Sequence, residues 1–292
     1  MTKPKSVLIT GCSSGIGQTS AELLAQLGHT VYATARSLDS LSALRARIES
    51  TSGAISTAQL DVTDQESIEA ALSAIRAIGA GLDVVVNNAG YGQFGAIEDV
   101  PLDRWRRQFE VNLFGTVAVT QAALPLLRES SDARIVNVSS TVAYVTTPLM
   151  GVYNASKYAV RSMSAALRME LRGWGIPVIE VEPGAIASRF RENVEKYAER
   201  EHLRTEHYRR AYAAYERGWE RLNRAGMTGP AAVARAIQRA VDDKRPRRRY
   251  RVTFIGKLLP AIYGLVPERL MDRIMLRSFG VMGTLGRRRR EP

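Results

Sequence analysis

Ser6-Val7-Leu8-Ile9-Thr10-Gly11-Cys12-Ser13-Ser14-Gly15-Ile16-Gly17 opens as a short apolar run and closes on three glycines, after which Ile16–Leu27 carries helical periodicity. A strand, a tight turn and a helix in that order form the first unit of a parallel sheet. Glycines in such a turn let the backbone approach a pyrophosphate closely, and the amides that start the next helix supply the positive pole. Glycines also close ordinary loops, so the strand, turn and helix setting is what gives these three their meaning.

The same alternation continues along the chain. Short runs rich in β-branched residues fall at Ser6–Thr10, Thr30–Ala35, Ile55–Leu60, Asp83–Asn87, Arg134–Ser139 and Ile176–Glu182. Helical stretches lie between them at Ile16–Leu27, Leu41–Glu49, Gln65–Ile78, Asp103–Leu127 and Tyr153–Arg172. The pattern predicts an α/β fold, a doubly wound parallel sheet with helices on both faces, built as one domain over residues 1–292.

After Pro183 the alternation stops. Residues 185–228 read as a charged helical insert over the domain, in which Tyr208, Tyr212, Tyr215, Trp219 and Leu222 recur at helical steps and form an aromatic stripe. A further helix is expected at Pro230–Val241, and residues 254–292 read as a C-terminal extension.

Composition narrows the class. Forty-five per cent hydrophobic and 24% charged residues are ordinary for a soluble globular chain. One cysteine, Cys12, permits no intrachain disulfide, and a first strand so near the start leaves no room for an apolar leader; both point to a cytoplasmic setting. The late uncharged run Leu258–Pro267 is about half the ~20 residues a spanning helix needs. Lys and Arg number 41 against 29 Asp and Glu, for a formal charge of +12, with the excess in Lys244–Arg251 and Arg287–Arg290. The plain reading is a solvated basic surface. The apolar Phe254–Val266 after basic Arg247–Arg251 also raises peripheral membrane contact, and nucleic acid ranks last because only charge speaks for it. No metal site is read from the sequence.

Gly11, Gly15 and Gly17 with their spacing, Asp61-Val62 after the third strand and Asn87-Asn88-Ala89-Gly90 after the fourth resemble the short-chain dehydrogenase/reductase family, in that order. The resemblance is most specific over residues 6–190. It implies a Rossmann fold and an NAD(P)-dependent oxidoreductase acting between alcohols and ketones. It assigns cofactor contacts to Gly11, Ser13, Ser14, Gly15, Ile16, Gly17, Asp61, Val62, Asn88, Ala89 and Gly90. The segment Pro183-Gly184-Ala185-Ile186-Ala187-Ser188 resembles the family's loop beside the nicotinamide, which adds Pro183, Ile186 and Ser188. At the end of the second strand Arg36 stands where an acid would otherwise hold the ribose hydroxyls. A guanidinium there suits a 2′-phosphate, so NADP(H) is favoured and NAD(H) is the alternative.

Tyr153 and Lys157 stand four apart, hence on one face of a helix. A phenol with a reference pKa of about 10 is a poor base at neutral pH, and nearby cations favour its phenolate. By the family's spacing Ser140 and Asn112 join them, completing an Asn-Ser-Tyr-Lys tetrad in which Lys157 lowers the phenol's pKa and Tyr153 and Lys157 also meet the cofactor. Thr10–Gly17 and Val31–Arg36 look most like the 17β-hydroxysteroid and retinol dehydrogenase branch, whose substrates are bulky and apolar. Ser140 and Tyr153 would hold the reacting oxygen, and Phe94, Val145, Leu149, Met150 and the Tyr208–Trp219 stripe are candidate substrate walls. The family's habit implies a homodimer or homotetramer through the helices at Asp103–Leu127 and Tyr153–Arg172. The competing reading is a redox sensor that binds NADP(H) without turnover.

Overall fold

The computed structural model describes residues 3–48, 54–79, 81–187, 206–224 and 227–285. Seven parallel strands form one sheet in the order β3-β2-β1-β4-β5-β6-β7. The strands are β1 (Ser6–Ile9), β2 (Thr30–Ala35), β3 (Ile55–Gln59), β4 (Val84–Asn87), β5 (Arg134–Val138), β6 (Val178–Glu182) and β7 (Arg249–Arg251). The strand order reverses between β1 and β4, and a crevice opens at such a switch point, beyond the carboxyl ends of the strands.

Strand side chains alternate between the two faces. Val7 and Ile9 of β1, with Val84 and Val86 of β4, pack under α1 (Gly15–Gln26), α2 (Ser42–Ile48) and a later helix at Pro230–Asp242. Leu8 and Val85 point the other way. They meet Ile68, Leu72 and Ile75 of α3 (Gln65–Ala77) and Val119, Ala123 and Leu126 of a helix at Gly115–Glu129. Apolar side chains on both faces of the strands explain why the strands read as nearly continuous hydrophobic runs.

The expected helix at Asp103–Leu127 is α4 (Leu102–Phe109), a π-helical turn (Glu110–Phe114) and α5 (Gly115–Glu129) in succession. By length and composition this run could cross a membrane, but α5 is spent on the core beneath the sheet. α6 (Gly151–Glu170) begins two residues earlier than expected, and the fourth-strand and sixth-strand starts move by one and two residues.

β7 was not expected. Lys244–Arg251 reads as a solvated basic run, yet Arg249 and Arg251 flank Tyr250 on an edge strand, and each pairs with a glutamate buried on β6. Charge pairing, not apolar content, qualifies this segment as a strand.

In the insert, residues 188–205 lie outside the described set, a 3-10 turn at Glu206–Tyr208 leads into α7 (Arg209–Arg224), and α8 (Pro230–Asp242) is the expected helix at Pro230–Val241. The ends of the insert are pinned together by a bridge between Ile186 and Thr228. The stripe is chiefly packing: Tyr212 and Tyr215 join Phe94, Leu149 and Met150 in one cluster. Tyr212 donates to Asp99 Oδ2 at 2.5 Å and accepts from the Ala96 amide at 2.8 Å. The extension supplies α9 (Phe254–Ile262) and α10 (Glu268–Ser278), whose Leu259, Met271 and Met275 pack on Ala143, Tyr144 and Val145.

Tyr212→Phe therefore removes the hydroxyl that joins α7 to the Ala96–Asp99 segment. Stability should fall by ~1–3 kcal/mol, read from denaturant unfolding, since a buried carboxylate and amide lose their shared partner. An unchanged midpoint would show that this hydroxyl does not hold α7 in place.

Candidate active site

The crevice above β1 and β4 is a cleft of about 1270 Å³. Its floor is built from two loops tied to each other. Thr10 Oγ1 accepts from the amides of Asn88 at 3.1 Å and Ala89 at 3.0 Å, while Asn88 Nδ2 donates to the carbonyls of Thr10 at 2.9 Å and Gly11 at 3.1 Å. Gly11 takes φ +74°, where a Cβ would come within 2.8 Å of Ala89 Cα. A Cβ on Gly17 would come within 2.3 Å of the Gly11 carbonyl oxygen. Only hydrogen fits at either place.

These bonds leave the start of α1 open. Ser14 precedes it in extended conformation without a side-chain cap, and no acid stands in its first turn. Gly11, Ser13, Ser14, Gly15 and Ile16 line the cleft. Uncapped amides and the helix dipole at a glycine-walled surface fit a diphosphate. Gly17 does not line the cleft; its place is beneath the loop. Asn88 does line it, but its side-chain amide is engaged with the loop.

Arg36, exposed at the end of β2, lines the same cleft and has no side-chain partner among the described residues. Asp61 and Val62 lie along it too. Asp61 Oδ1 accepts from the amide and hydroxyl of Thr63, at 3.0 and 2.8 Å, and Val62 packs on Gly115 of α5. Ala89, Gly90, Pro183 and Ile186 complete the wall, and Ser188 falls outside the described residues.

Ser140, Tyr153 and Lys157 meet deeper in the cleft. Ser140 ends the segment after β5 and caps the turn Thr141–Ala143, accepting from the Val142 amide at 3.3 Å. Its contact with the Pro183 carbonyl is long, 3.4 Å, and it hydrogen-bonds the phenol of Tyr153. Lys157 Nζ donates to the Val138 carbonyl at 2.9 Å and lies 5.9 Å from the centre of the Tyr153 ring.

Burial acts on the two groups in opposite directions. It pushes the Tyr153 phenol up to about 12, against the pull of Ser140, and the Lys157 ammonium down to about 8. Lys157 was expected to lower the phenol's pKa; in this chain alone desolvation raises it, and Ser140 is the group that opposes the rise.

Asn112 sits one layer behind, in the π-helical turn. Its side-chain amide donates to the Tyr91 carbonyl at 3.0 Å and Ser156 Oγ at 3.1 Å, and accepts from the Tyr91 amide at 3.1 Å. The π-turn brings this buried amide under Gly90, whose built Cβ would lie 3.1 Å from Asn112 Oδ1 and 3.8 Å from Lys157 Nζ.

Of the substrate-wall candidates, Phe94, Val145 and Met150 line the cleft. Leu149 does not. It holds φ +60°, a strained position for leucine, and its side chain is buried in the aromatic cluster under α7. Tyr215 and Trp219 reach the cleft from α7. Sequence reasoning missed Thr10, Tyr91 and the walls from the extension, Leu259, Ile274, Met275 and Phe279. The helical spacing of Met271, Met275 and Phe279 was the signal for the last group.

The family model for short chain dehydrogenase matches residues 5–199. The chain belongs to the short-chain dehydrogenase family. It is an NAD(P)-dependent oxidoreductase of CH–OH and C=O groups. Among similar proteins is an NADPH-dependent 3-dehydrocapnine reductase of Ornithobacterium rhinotracheale, 31% identical over 93% of this chain and 96% of its own length. Human 11-beta-hydroxysteroid dehydrogenase type 2 is 33% identical over 94% of this chain and 70% of its own, in keeping with the steroid-like branch. A solved short-chain dehydrogenase from Burkholderia phymatum in complex with NAD is 28% identical, with a TM-score of 0.75 over 94% of this chain and 95% of that one.

In this short-chain dehydrogenase, Gly17→Ala drives a methyl group into the Gly11 carbonyl and spreads the loop. Dinucleotide affinity, measured by fluorescence titration, should weaken by about tenfold or more, the equivalent of ~1.4 kcal/mol. A wild-type affinity would place the cofactor's diphosphate elsewhere.

Proposed function

We propose that this short-chain dehydrogenase interconverts an apolar secondary alcohol and its ketone, steroid-, retinoid- or lipid-like, using NADP(H), with Tyr153 as the proton-transferring group. The observation that carries the reading is the buried phenol on the cleft wall, bonded to Ser140 and one helical turn from Lys157. The bound nicotinamide supplies the hydride or accepts it.

Tyr153 gives its phenolic proton to the carbonyl oxygen during reduction and takes it back during oxidation. Ser140 holds that oxygen. Lys157, anchored on the Val138 carbonyl, places a cation beside the phenol and supports its anionic form below pH 8, where the ammonium persists. Asn112 fixes the Tyr91 segment and Ser156 behind Lys157, so it acts as a positioning residue. The apolar substrate lies against the wall that Phe94, Val145, Met150, Tyr215, Trp219 and Phe279 line.

Arg36 supports the NADP(H) preference. An exposed guanidinium with no described side-chain partner, at the ribose end of the cleft, is free to grip a 2′-phosphate through paired charge-assisted bonds. The NADPH-dependent Ornithobacterium relative is in keeping with that preference, whereas the Burkholderia structure holds NAD. Exposed Phe114 and Met169 on the outer helices support assembly into a homodimer or homotetramer.

Tyr153→Phe should cut kcat by roughly 10²–10⁴ with NADPH affinity retained. In the parent enzyme, oxidation should climb with pH as the phenol ionises, and the variant should lose that slope. Binding of NADPH without Tyr153-dependent turnover on a broad ketone panel would instead mark a sensor.

Arg36→Ala should raise the Kd for NADPH by at least about tenfold and leave NADH nearly unaffected, since NADH carries no 2′-phosphate for the guanidinium to hold. Equal effects on both dinucleotides would remove Arg36 from the phosphate site.

A further inference from the structure

The last two helices leave an apolar surface facing outward. In α9, Gly256 lies against Thr141 and Leu259 packs with the buried Met271 and Met275. Phe254 and Leu258, one turn apart, stand on the other side, 78% and 47% exposed, and Leu265 in the connection to α10 is 83% exposed. A solvated helix puts polar side chains there.

α10 is sorted around its axis. At about 100° per residue, Met271 and Met275 make the buried stripe, with Leu270 and Ile274 beside it on one flank. Beyond Leu270 come Arg277, Arg273 and Arg269 in turn, centred on the side opposite the buried stripe, while Glu268 and Asp272 fall on the other flank of that stripe. An exposed apolar stripe bordered by arginine is the arrangement of a helix lying in a lipid interface.

The neighbouring segment has the same sign. From Lys244 to Arg277 there are ten Lys or Arg residues against Glu268 and Asp272. Of these, Arg249 and Arg251 are engaged with β6 and Lys244–Arg248 precede β7 at the strand end opposite the cleft, which leaves exposed Lys257, Arg269, Arg273 and Arg277 on the α9–α10 surface itself. The surface is also continuous with the cleft, because Phe254, Leu259, Ile274 and Met275 of these helices line its mouth.

We propose that the α9–α10 surface seats against an anionic lipid bilayer, with Phe254, Leu258, Leu265 and Leu270 entering the leaflet and the arginines meeting lipid phosphates. An apolar substrate then passes from the leaflet into the cleft without crossing water. Charge selects this occupant over a second copy of the chain, which would bring the same basic strip against itself.

Co-sedimentation of the full chain with vesicles tests the proposal without reference to turnover, so it stands or falls apart from the substrate assignment. Vesicles of mixed phosphatidylglycerol and phosphatidylcholine should bind the protein, phosphatidylcholine alone much less, and salt should weaken the binding. The triple variant Leu258→Ser, Leu265→Ser, Leu270→Ser should lose about tenfold or more in affinity, with unchanged thermal unfolding and NADPH binding. Arg269→Gln, Arg273→Gln and Arg277→Gln together should lose roughly fivefold per arginine on the anionic vesicles. A polarity-sensitive dye on Leu265→Cys should shift to the blue when those vesicles are added; the native thiol, Cys12, is buried. Absence of binding to anionic vesicles at low salt overturns the proposal. So does a leucine variant that binds vesicles as tightly as the parent, or one whose only change is a smaller oligomer by sedimentation velocity, which would make the face a subunit contact.

Discussion

Thr10 and Asn88 join the ends of β1 and β4, and the cleft depends on that junction. Each supplies what the other's loop lacks: the Thr10 hydroxyl takes two amides, and the Asn88 amide takes two carbonyls. With their polar groups satisfied inside the protein, the loops need nothing from the first amides of α1, which stay open to the cleft. The absence of side chains on Gly11 and Gly17 lets the two loops close to this distance. A cap on α1 would stabilise the helix but take up those amides, which the diphosphate reading of this cleft needs open.

A second constraint holds the opposite wall. Glu180 and Glu182 are fully buried on β6, an expensive place for carboxylates unless cations reach them. Arg168 of α6 pairs with Glu180 at 2.7 Å, and Arg251 of β7 with Glu182 at 3.0 Å. Tyr144 donates to Glu182 at 2.6 Å beneath the stacked guanidinium of Arg161. Tyr144 closes the turn that Ser140 opens, and Arg251 lies three residues before the start of α9. One carboxylate therefore ties the serine's loop to the helices that roof the cleft. Burial raises the pKa of Glu180, and the arginines oppose that shift.

The sheet was legible because its strands carry their own signal. Val7 and Ile9 face one helical layer and Leu8 the other, so β-branched and aliphatic runs of four to six residues had no other reading. Tyr153, Lys157 and the glycine loop were legible by spacing, since a helix or a turn fixes neighbours in sequence. What was hidden depends on partners far along the chain. Arg249 and Arg251 look like solvated charge until two glutamates some seventy positions earlier are seen beneath them. Leu149 stands one residue from a cleft wall, yet its positive φ turns the side chain into the aromatic cluster. Thr10 looked like the last residue of a strand, and only the return of β4 beside it makes its hydroxyl the hub of two loops.

The protonation of Tyr153 and Lys157 shows that this part of the molecule is not arranged for stability. A buried phenol raised to about 12 is neutral in the folded and unfolded chain alike at pH 7, so its burial carries no ionisation penalty there. The lysine differs. Its folded value of about 8 lies below the ordinary 10.5, so the unfolded chain holds the proton more tightly. Below pH 8 the folded state bears the full penalty, of roughly 3 kcal/mol, which fades as pH rises toward 10.5. A bond to the Val138 carbonyl offsets only part of it. A leucine or methionine at position 157 would escape the penalty, so the ammonium has to be accounted for by what it faces. It stands 5.9 Å from the ring centre of the Tyr153 phenol, and support of that phenol's anion is the use proposed for it.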